Sequence, residues 1–261
     1  MTNVQELKTV LCGMCVLVAA ASAGSPAPAG QDKDFGKLIE ARNPALVTVK
    51  FVLKLKGSFG DMETESELTG VMVRPNGLIV CSNSQLGGPS PLMRRMGATA
   101  TPRDLKILIG DDSEGIDAKV IARDSELDLT WLQIKDAGER KFAFIDLSAS
   151  ADVKIGDPLL AIVRMDEYFG RAPVVRAARV GGTTAKPRRL LVPSGPLGDL
   201  GSPVFDKDGR LVGISVAQLP ESGGGPGARS LIGLSGLILP AAELQKATTR
   251  ALEVVAEDEG E

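Results

Sequence analysis

The chain has 261 residues, of which 43% are hydrophobic and 24% charged, and this composition excludes a disordered or fibrous protein. Aromatic residues make up only 3%, whereas valine, isoleucine, leucine, glycine and proline are abundant, which favours many short strands joined by turns. The formal net charge is −3, but acids at the carboxyl end account for it and the body is almost neutral. Neither a nucleic-acid partner nor a polybasic membrane signal is therefore expected.

Residues 1–23 have the pattern of a secretory signal peptide. Lys8 precedes the apolar run Val10–Val18, and Ala21–Ala23 has the small-residue pattern of a cleavage site. The apolar run is shorter than the ~20 residues that a membrane-spanning helix needs, so no stable membrane span is expected after cleavage. An uncleaved anchor is the alternative. The sequence predicts cleavage after Ala23 and an exported protein, either periplasmic or secreted.

The cysteines predict no disulfide and no metal site. Cys12 and Cys15 lie within the predicted signal peptide, so the mature protein would keep only Cys81. The chain contains no histidine, and its acidic residues lack the spacing of a calcium-binding loop. No metal and no other cofactor are therefore expected.

The folded body is expected to begin at Pro44. Residues 24–43 are interpreted as a linker and N-terminal segment, in which Phe35–Arg42 can form one or two helical turns. From Val47 to Lys56, apolar and polar residues alternate, which predicts a half-buried antiparallel strand. The next predicted elements are a hairpin of Leu68–Val73 and Leu78–Cys81 around a Pro-Asn-Gly turn, a loop at Gly87–Arg103 whose role is open, strands at Leu105–Ile109 and Ile116–Ala122, and a crossing segment at Ile145–Gly156.

The second half of the sequence is also rich in predicted strands. Six cations from Arg171 to Arg189 occur in a stretch without any acid. They are interpreted as solvent-facing strand residues, with a basic patch for an anionic partner as the alternative. The predicted elements are strands at Asp157–Val163, Arg210–Ala217 and Leu231–Leu239, a loop at Pro220–Gly227, and a helix at Ala241–Ala256 with apolar residues at three- and four-residue steps.

Three motifs resemble those of trypsin-like serine proteases, most closely the HtrA/DegP branch. The segment Gly198–Val204 reads GDLGSPV and is similar to the family's nucleophile loop G-[DN]-S-G-[GS]-P-[LV]. The segment Leu68–Ser84 is similar to the block that ends on the family's basic histidine, and Asp124–Ile134 is similar to the block around its triad aspartate. The motifs follow each other in the family's order.

This resemblance implies an all-β fold of two six-stranded antiparallel β-barrels, the chymotrypsin-like double barrel, with a short C-terminal helix. The implied divisions are an N-terminal barrel at residues 44–147, a C-terminal barrel at 148–239, and a helix with an acidic tail at 240–261. The sequence ends where HtrA proteases usually continue into a peptide-binding PDZ domain, so we expect that module to be absent.

The same resemblance implies a degenerate catalytic triad. Ser84 stands at the position of the base, Asp128 retains the orienting aspartate, and Leu200 stands at the position of the nucleophile. Serine-protease chemistry needs a serine to attack and a base to take its proton, and a leucine has no hydroxyl. Because there is no histidine anywhere in the chain, no other loop could supply the usual base. The equivalents of the oxyanion loop are Gly198, Asp199 and Gly201.

Other residues are poor substitutes for the missing groups. Ser202 lies two positions beyond the nucleophile and is interpreted as a structural loop residue. A serine hydroxyl at Ser84 is too weak to act as a base, and Cys81 and Trp131 are expected to be core residues. Without a histidine to cover it, the Asp128 carboxylate is expected to be wetter, or bonded to backbone N–H groups.

The sequence therefore predicts a catalytically inactive protease homologue, a pseudoprotease, that binds a peptide, a partner protein or an active protease relative. One alternative is an active trypsin-like endopeptidase with a non-standard nucleophile. Another is a structural subunit that tunes an intact protease. The ligand and the oligomeric state are left open by the sequence.

Overall fold

A computed structural model describes residues 34–56, 60–88, 99–218 and 235–258. The predicted signal peptide, the predicted loop at Pro220–Gly227 and the end of the acidic tail lie outside these residues. The helices are α1 (Phe35–Arg42) and α2 (Ala241–Asp258), with short 3₁₀ turns at Asn43–Ala45 and Glu167–Phe169. The strands are β1 (Leu46–Lys56), β2 (Met62–Arg74), β3 (Leu78–Ser82), β4 (Thr99–Ile109), β5 (Ile116–Asp124), β6 (Leu129–Ile134), β7 (Pro158–Arg164), β8 (Pro173–Thr183), β9 (Leu191–Pro193), β10 (Pro203–Phe205), β11 (Leu211–Ala217) and β12 (Ser235–Pro240).

The first six strands close into a barrel in the order β1-β2-β3-β6-β5-β4. The alternation in β1 directs Val47, Val49 and Phe51 into the core, where all three are buried. The β2–β3 turn is tight because Gly77 adopts a φ of 88°, which a residue with a side chain rarely takes. These features confirm the first barrel predicted from the sequence.

The last six strands close into a second barrel in the order β10-β11-β12-β9-β8-β7, and all of its named strand pairs are antiparallel. Strands β10 and β11 are apolar, and β10 and nearly all of β11 are buried, whereas β8 has one buried residue. The chain crosses between the barrels near residues 145–150, since Ile145 N–H donates to Met72 O of β2 and Ser150 pairs with Leu211 of β11. The double-barrel fold class is thus confirmed, whereas the exact domain limits stay predictions.

The C-terminal helix α2 packs against both barrels. Leu244, Ala247 and Ala251 lie on its buried face, and the helix contacts β5 of the first barrel together with β11 and β12 of the second. The indole N–H of Trp131 donates to the Thr248 hydroxyl at 3.1 Å. Trp131 is therefore a core residue, as predicted. Among the described residues, none of the helices combines the length and apolar character needed to cross a membrane.

Two predicted boundaries in the first barrel were wrong. Strand β2 begins at Met62 rather than Leu68, and β4 begins at Thr99, so the last residues of the predicted Gly87–Arg103 loop form a strand. Both additions pair with the second half of β1, the added part of β2 with Lys50–Leu55 and the added part of β4 with Val52–Lys56. Their sequences are charged or rich in threonine, so they lack the apolar alternation that identifies a strand. Pairing with β1, not burial, stabilises them. Residues 89–98 of the loop lie outside the described residues.

The arginines of the basic run are largely paired with acids from elsewhere in the chain. Arg171 forms ion pairs with Glu67 and Glu167, at 2.6 and 3.1 Å. The other two pairs are Arg188 with Glu126 and Arg189 with Asp152, both at 3.3 Å. These contacts favour the interpretation of the run as ordinary barrel surface.

Candidate functional site

The nucleophile loop of the second barrel lies directly on the backbone of the first barrel. Gly201 is buried with a φ of 83°, and a side-chain carbon placed on it would lie 2.9 Å from the Thr69 carbonyl oxygen and 3.2 Å from the Ser82 nitrogen. Its N–H donates to Ser215 O of β11 at 2.8 Å. Only glycine fits this junction without movement of the backbone. The loop shape is therefore fixed beside the end of β3, where the base position follows.

The Asp128 carboxylate is buried, with 3% of the residue exposed, and it accepts hydrogen bonds on both oxygens. Oδ1 accepts from Ser84 N–H at 2.7 Å and Oδ2 accepts from Ala217 N–H at 2.8 Å. The Ser82 hydroxyl lies 3.3 Å from Oδ1 and 3.1 Å from Oδ2. The sequence predicted that this carboxylate would be either exposed to water or bonded to backbone N–H groups. The structure shows the second alternative.

The backbone at Asp128 has a φ of 59°, a left-handed conformation that aspartate tolerates better than most residues. Burial raises the pKa of the Asp128 carboxyl. Hydrogen bonds from Ala217 N–H, Ser84 N–H and the hydroxyls of Ser84 and Ser82 lower it in part, and the net pKa lies above its ordinary value.

Ser84, which the sequence resemblance assigns to the base position, has a hydroxyl side chain and no basic group. Its hydroxyl lies 3.1 Å from the Ser82 hydroxyl, which in turn lies 3.1 Å from Asp128 Oδ2, so two hydroxyl groups lie beside the carboxylate. A neutral hydroxyl accepts a proton far too weakly to activate a nucleophile. The arrangement orients Ser84 but provides no general base.

A buried polar network supports the turn that carries Ser84. The Asn83 side-chain oxygen accepts from Arg123 Nη1 at 2.8 Å and from the Thr130 hydroxyl at 3.1 Å. Asn83 N–H donates to the carbonyl oxygen of Asp128 at 3.0 Å. Burial lowers the pKa of the Arg123 guanidinium, which nevertheless remains a cation near neutral pH. The turn that carries Ser84, which we call the base side of the cleft, is therefore hydrogen-bonded to β5 and β6.

Leu200 is half-buried and packs against neither of the two hydrophobic clusters that the described residues form. Asp199 beside it is exposed. Within the described parts of the chain, the N–H groups of Gly198 and Leu200 donate no hydrogen bond to the protein. The loop therefore offers a ligand one apolar side chain and two backbone donors.

Neither of the remaining potential nucleophiles is accessible. Ser202 is fully buried, and its hydroxyl has no hydrogen-bond partner in the described structure. Cys81 is also fully buried, and burial raises the pKa of its thiol to about 12, with a smaller upward effect from Asp128 and a downward effect from Arg123. A thiol with such a pKa is protonated at neutral pH and therefore a poor nucleophile. Both placements agree with the structural roles expected for these residues.

The sequence did not indicate two groups that complete the site, the Ser82 hydroxyl and the Ala217 N–H. Ser82 lies two residues before the base position and could have been suspected from its polarity in an apolar strand. The Ala217 donor is a backbone group 89 residues away from Asp128, so no pattern of side chains in the sequence indicates it. Among the described residues, no cluster of histidine, cysteine, aspartate or glutamate could hold a metal ion.

Comparison with known proteins places this architecture in a family. A family model described as "Trypsin-like peptidase domain" matches residues 68–214. Over 64% of its own length, this chain is 26% identical to a "Probable periplasmic serine endoprotease DegP-like" from Rhizobium meliloti. Over 45% of its own length, it is 30% identical to a protein of the same description from Bartonella henselae. It spans 31% and 24% of those two proteins, about a third or less of each.

Solved structures show the same fold. An HtrA-type protease with a tripeptide superposes with a TM-score of 0.56 at 18% identity, covering 82% of this chain and 62% of that one. Deg5 superposes with the same TM-score and identity, covering 81% and 90%. Because the family model matches more than half of the sequence, the chain belongs to the trypsin-like peptidase family, and its relatives support a place in the HtrA branch.

Proposed function

We propose that this protein is a catalytically inactive member of the trypsin-like family that binds an extended peptide or a partner protein in the cleft between its barrels. The observation that carries the proposal is Leu200, which stands at the nucleophile position on a loop whose backbone shape is kept by Gly201. The site has the form of a protease cleft but lacks the group that attacks.

Loss of the nucleophile and of the base supports inactivity on chemical grounds. In the subtilisin triad, removing the serine or the histidine alone lowers kcat about 10⁶-fold, and removing the whole triad is hardly worse. The present chain has Leu200 and Ser84 at these positions and no histidine at all. Any activity left would come from binding and the oxyanion donors only.

An active endopeptidase with a non-standard nucleophile has little support from the site. Ser202 has no accessible surface, and Cys81 is buried and protonated at neutral pH. Ser84 is the most accessible of these candidates, but its hydroxyl is bonded to the Ser82 hydroxyl and to the Asp128 carboxyl, and a carboxylate is a weak base for a serine hydroxyl. Each candidate therefore lacks either access or activation.

Binding does not need the triad, because backbone donors and apolar side chains recognise an extended peptide. The N–H groups of Gly198 and Leu200 can donate to a peptide carbonyl, and the half-exposed Leu200 side chain can cover an apolar residue of the ligand. The names of the relatives suggest a periplasmic setting, which agrees with the signal peptide predicted from the sequence. An active protease relative is one possible partner there.

The experiment uses reduced, unfolded β-casein as the probe, incubated with the wild-type protein, Leu200→Gln and Val254→Gln. Val254 is exposed on α2, outside the cleft, so Val254→Gln is the control for losing an apolar side chain elsewhere on the surface. We expect intact casein to bind, with affinity about fivefold lower for Leu200→Gln because roughly 1 kcal/mol of apolar contact is lost, and unchanged for Val254→Gln. Cleavage of casein by the wild type, or equal binding by all three proteins, would overturn the proposal.

A further inference from the structure

We propose that Asp128 fastens the two barrels together, so that the retained member of the triad fixes the geometry of the cleft instead of orienting a base. This inference does not depend on what the cleft binds. It concerns the backbone N–H groups of Ser84 and Ala217 and the Ser82 hydroxyl, which donate to the carboxylate, and the elements from which they come.

The carboxylate accepts hydrogen bonds from backbone N–H groups of both barrels, one on each oxygen. Oδ1 accepts from the N–H of Ser84, just after β3 of the first barrel. Oδ2 accepts from the N–H of Ala217, the last residue of β11 in the second barrel. Asp128 itself lies just before β6. One buried side chain therefore joins three segments that are remote in sequence.

The strand ladder leaves the Ala217 donor available for this contact. The register between β11 and β12 shifts between Val216 and Ala217, and such an irregularity frees a backbone group from the regular pairing. A partly buried N–H without a partner would destabilise the fold, so the carboxylate of the other barrel satisfies a donor that its own sheet does not.

Two weaker contacts cross between the barrels at the same place. Gln218 Nε2 donates to Glu126 O at 2.8 Å, and Arg188 Nη2 lies 3.3 Å from Glu126 Oε2. The Glu126 side chain is 80% exposed, so solvent screens its ion pair strongly. The bond from Ala217 N–H to the Asp128 carboxylate is the crossing contact with a buried acceptor, and its acceptor is charged.

The geometry has a consequence for the cleft. Ser84 and the end of β11 lie on opposite sides of the junction, and Asp128 holds both at hydrogen-bond distance. The turn at Ser84 and the second barrel are therefore held in fixed relative positions without a histidine. A ligand would meet a cleft whose walls are already in place.

The experiment measures amide hydrogen exchange at Ser84 and Ala217 in the wild type, Asp128→Asn and Asp124→Asn. Asparagine keeps the size and the left-handed conformation of Asp128, but its amide nitrogen cannot accept a hydrogen bond. We expect Asp128→Asn to speed exchange at the Ala217 amide of the second barrel at least about tenfold, with or without faster exchange at the Ser84 amide. Among the residues that the structure describes, Asp124 accepts only from Glu126 and Leu127 in its own turn, so its variant should change exchange there alone.

Loss of protection confined to the first barrel in Asp128→Asn, with β11 unchanged, would overturn the proposal, and so would an equal two-barrel effect of Asp124→Asn. If Asp128→Asn does not fold, the amide protection factors of the wild-type protein test the proposal instead. Amides that share one fastening should open together, with protection factors at Ser84 and Ala217 within about threefold of each other. A difference of more than about tenfold would contradict a shared opening.

Discussion

The two sides of the cleft differ in how strongly the residues at the predicted triad positions are buried and bonded. On the base side, Asp128 is buried and saturated with hydrogen bonds from both barrels. On the nucleophile side, Leu200 is half-exposed and outside both hydrophobic clusters, while its neighbour Gly201 is pressed against the first barrel. Asp128 and Gly201, which agree with the protease motifs, make close contacts between the barrels. The side chain of Leu200, which departs from them, makes no contact with either hydrophobic cluster.

The largest expected effect is that of Asp128→Ala on stability. The change removes the acceptor of two backbone N–H groups and places alanine in a left-handed conformation, so we expect a loss of about 4 kcal/mol in the free energy of unfolding. Urea unfolding followed by the fluorescence of Trp131, the only tryptophan, measures it. Ser82→Ala, which keeps both backbone bonds, is the control and should cost about 1 kcal/mol. A loss no larger than that of the control would show that the base side is not structural.

The next effect concerns the glycine of the nucleophile loop. Gly201→Ala would bring a methyl group to 2.9 Å from the Thr69 carbonyl oxygen at a φ of 83°, and we expect a loss of about 3 kcal/mol. Gly195→Ala is the matched control, because nothing lies within 4 Å of the added carbon and the φ is not positive. Thermal unfolding of the two variants compares them. Equal melting temperatures would mean that the loop does not rest on the first barrel.

A smaller effect is the pH dependence of Asp128. Its pKa is raised in the folded protein, mainly by burial, so the folded state holds this proton more tightly than the unfolded chain. The stability that this proton contributes is complete below the ordinary carboxyl pKa of about 3.9 and is lost as the pH rises through the raised value. The stability difference between the wild type and Asp128→Asn should therefore shrink over that window and then stay constant.

Urea unfolding of both proteins from about pH 3 to about pH 7 tests the sign. Asparagine does not titrate, so the difference between the two curves isolates this carboxyl from all other groups. A difference that grows as the pH rises would mean that the hydrogen bonds to the carboxylate outweigh its burial.

The smallest effect is that of Leu200 on stability. Because its side chain is half-exposed and outside both clusters, Leu200→Ala should cost less than about 1 kcal/mol. Leu197 lies in the same loop but is 4% exposed and belongs to the core of the second barrel, so Leu197→Ala should cost about 3 kcal/mol. Chemical denaturation of the pair gives the ratio. Similar losses would place Leu200 in the core and remove it from the cleft.

The sequence predicted the barrels where apolar alternation and turn residues agree, as in β1 and the Pro75–Gly77 turn. It did not predict the outer parts of β2 and β4, because those residues are held by pairing with β1 and not by burial. The triad positions came from the resemblance of three short motifs. The contact between Asp128 and Ala217 could not be predicted, since it joins a side chain to a backbone group across two barrels.

The central claim, that the fold is kept around an abandoned nucleophile, is tested most directly with a fluorophosphonate probe. Such a probe reacts covalently with a serine that a neighbouring base has activated. The purified wild-type protein should remain unlabelled under conditions in which an active trypsin-family protease is labelled completely, and peptide mapping by mass spectrometry would detect any adduct. Covalent labelling of the native protein, at Ser84, Ser202 or any other serine, would contradict the claim.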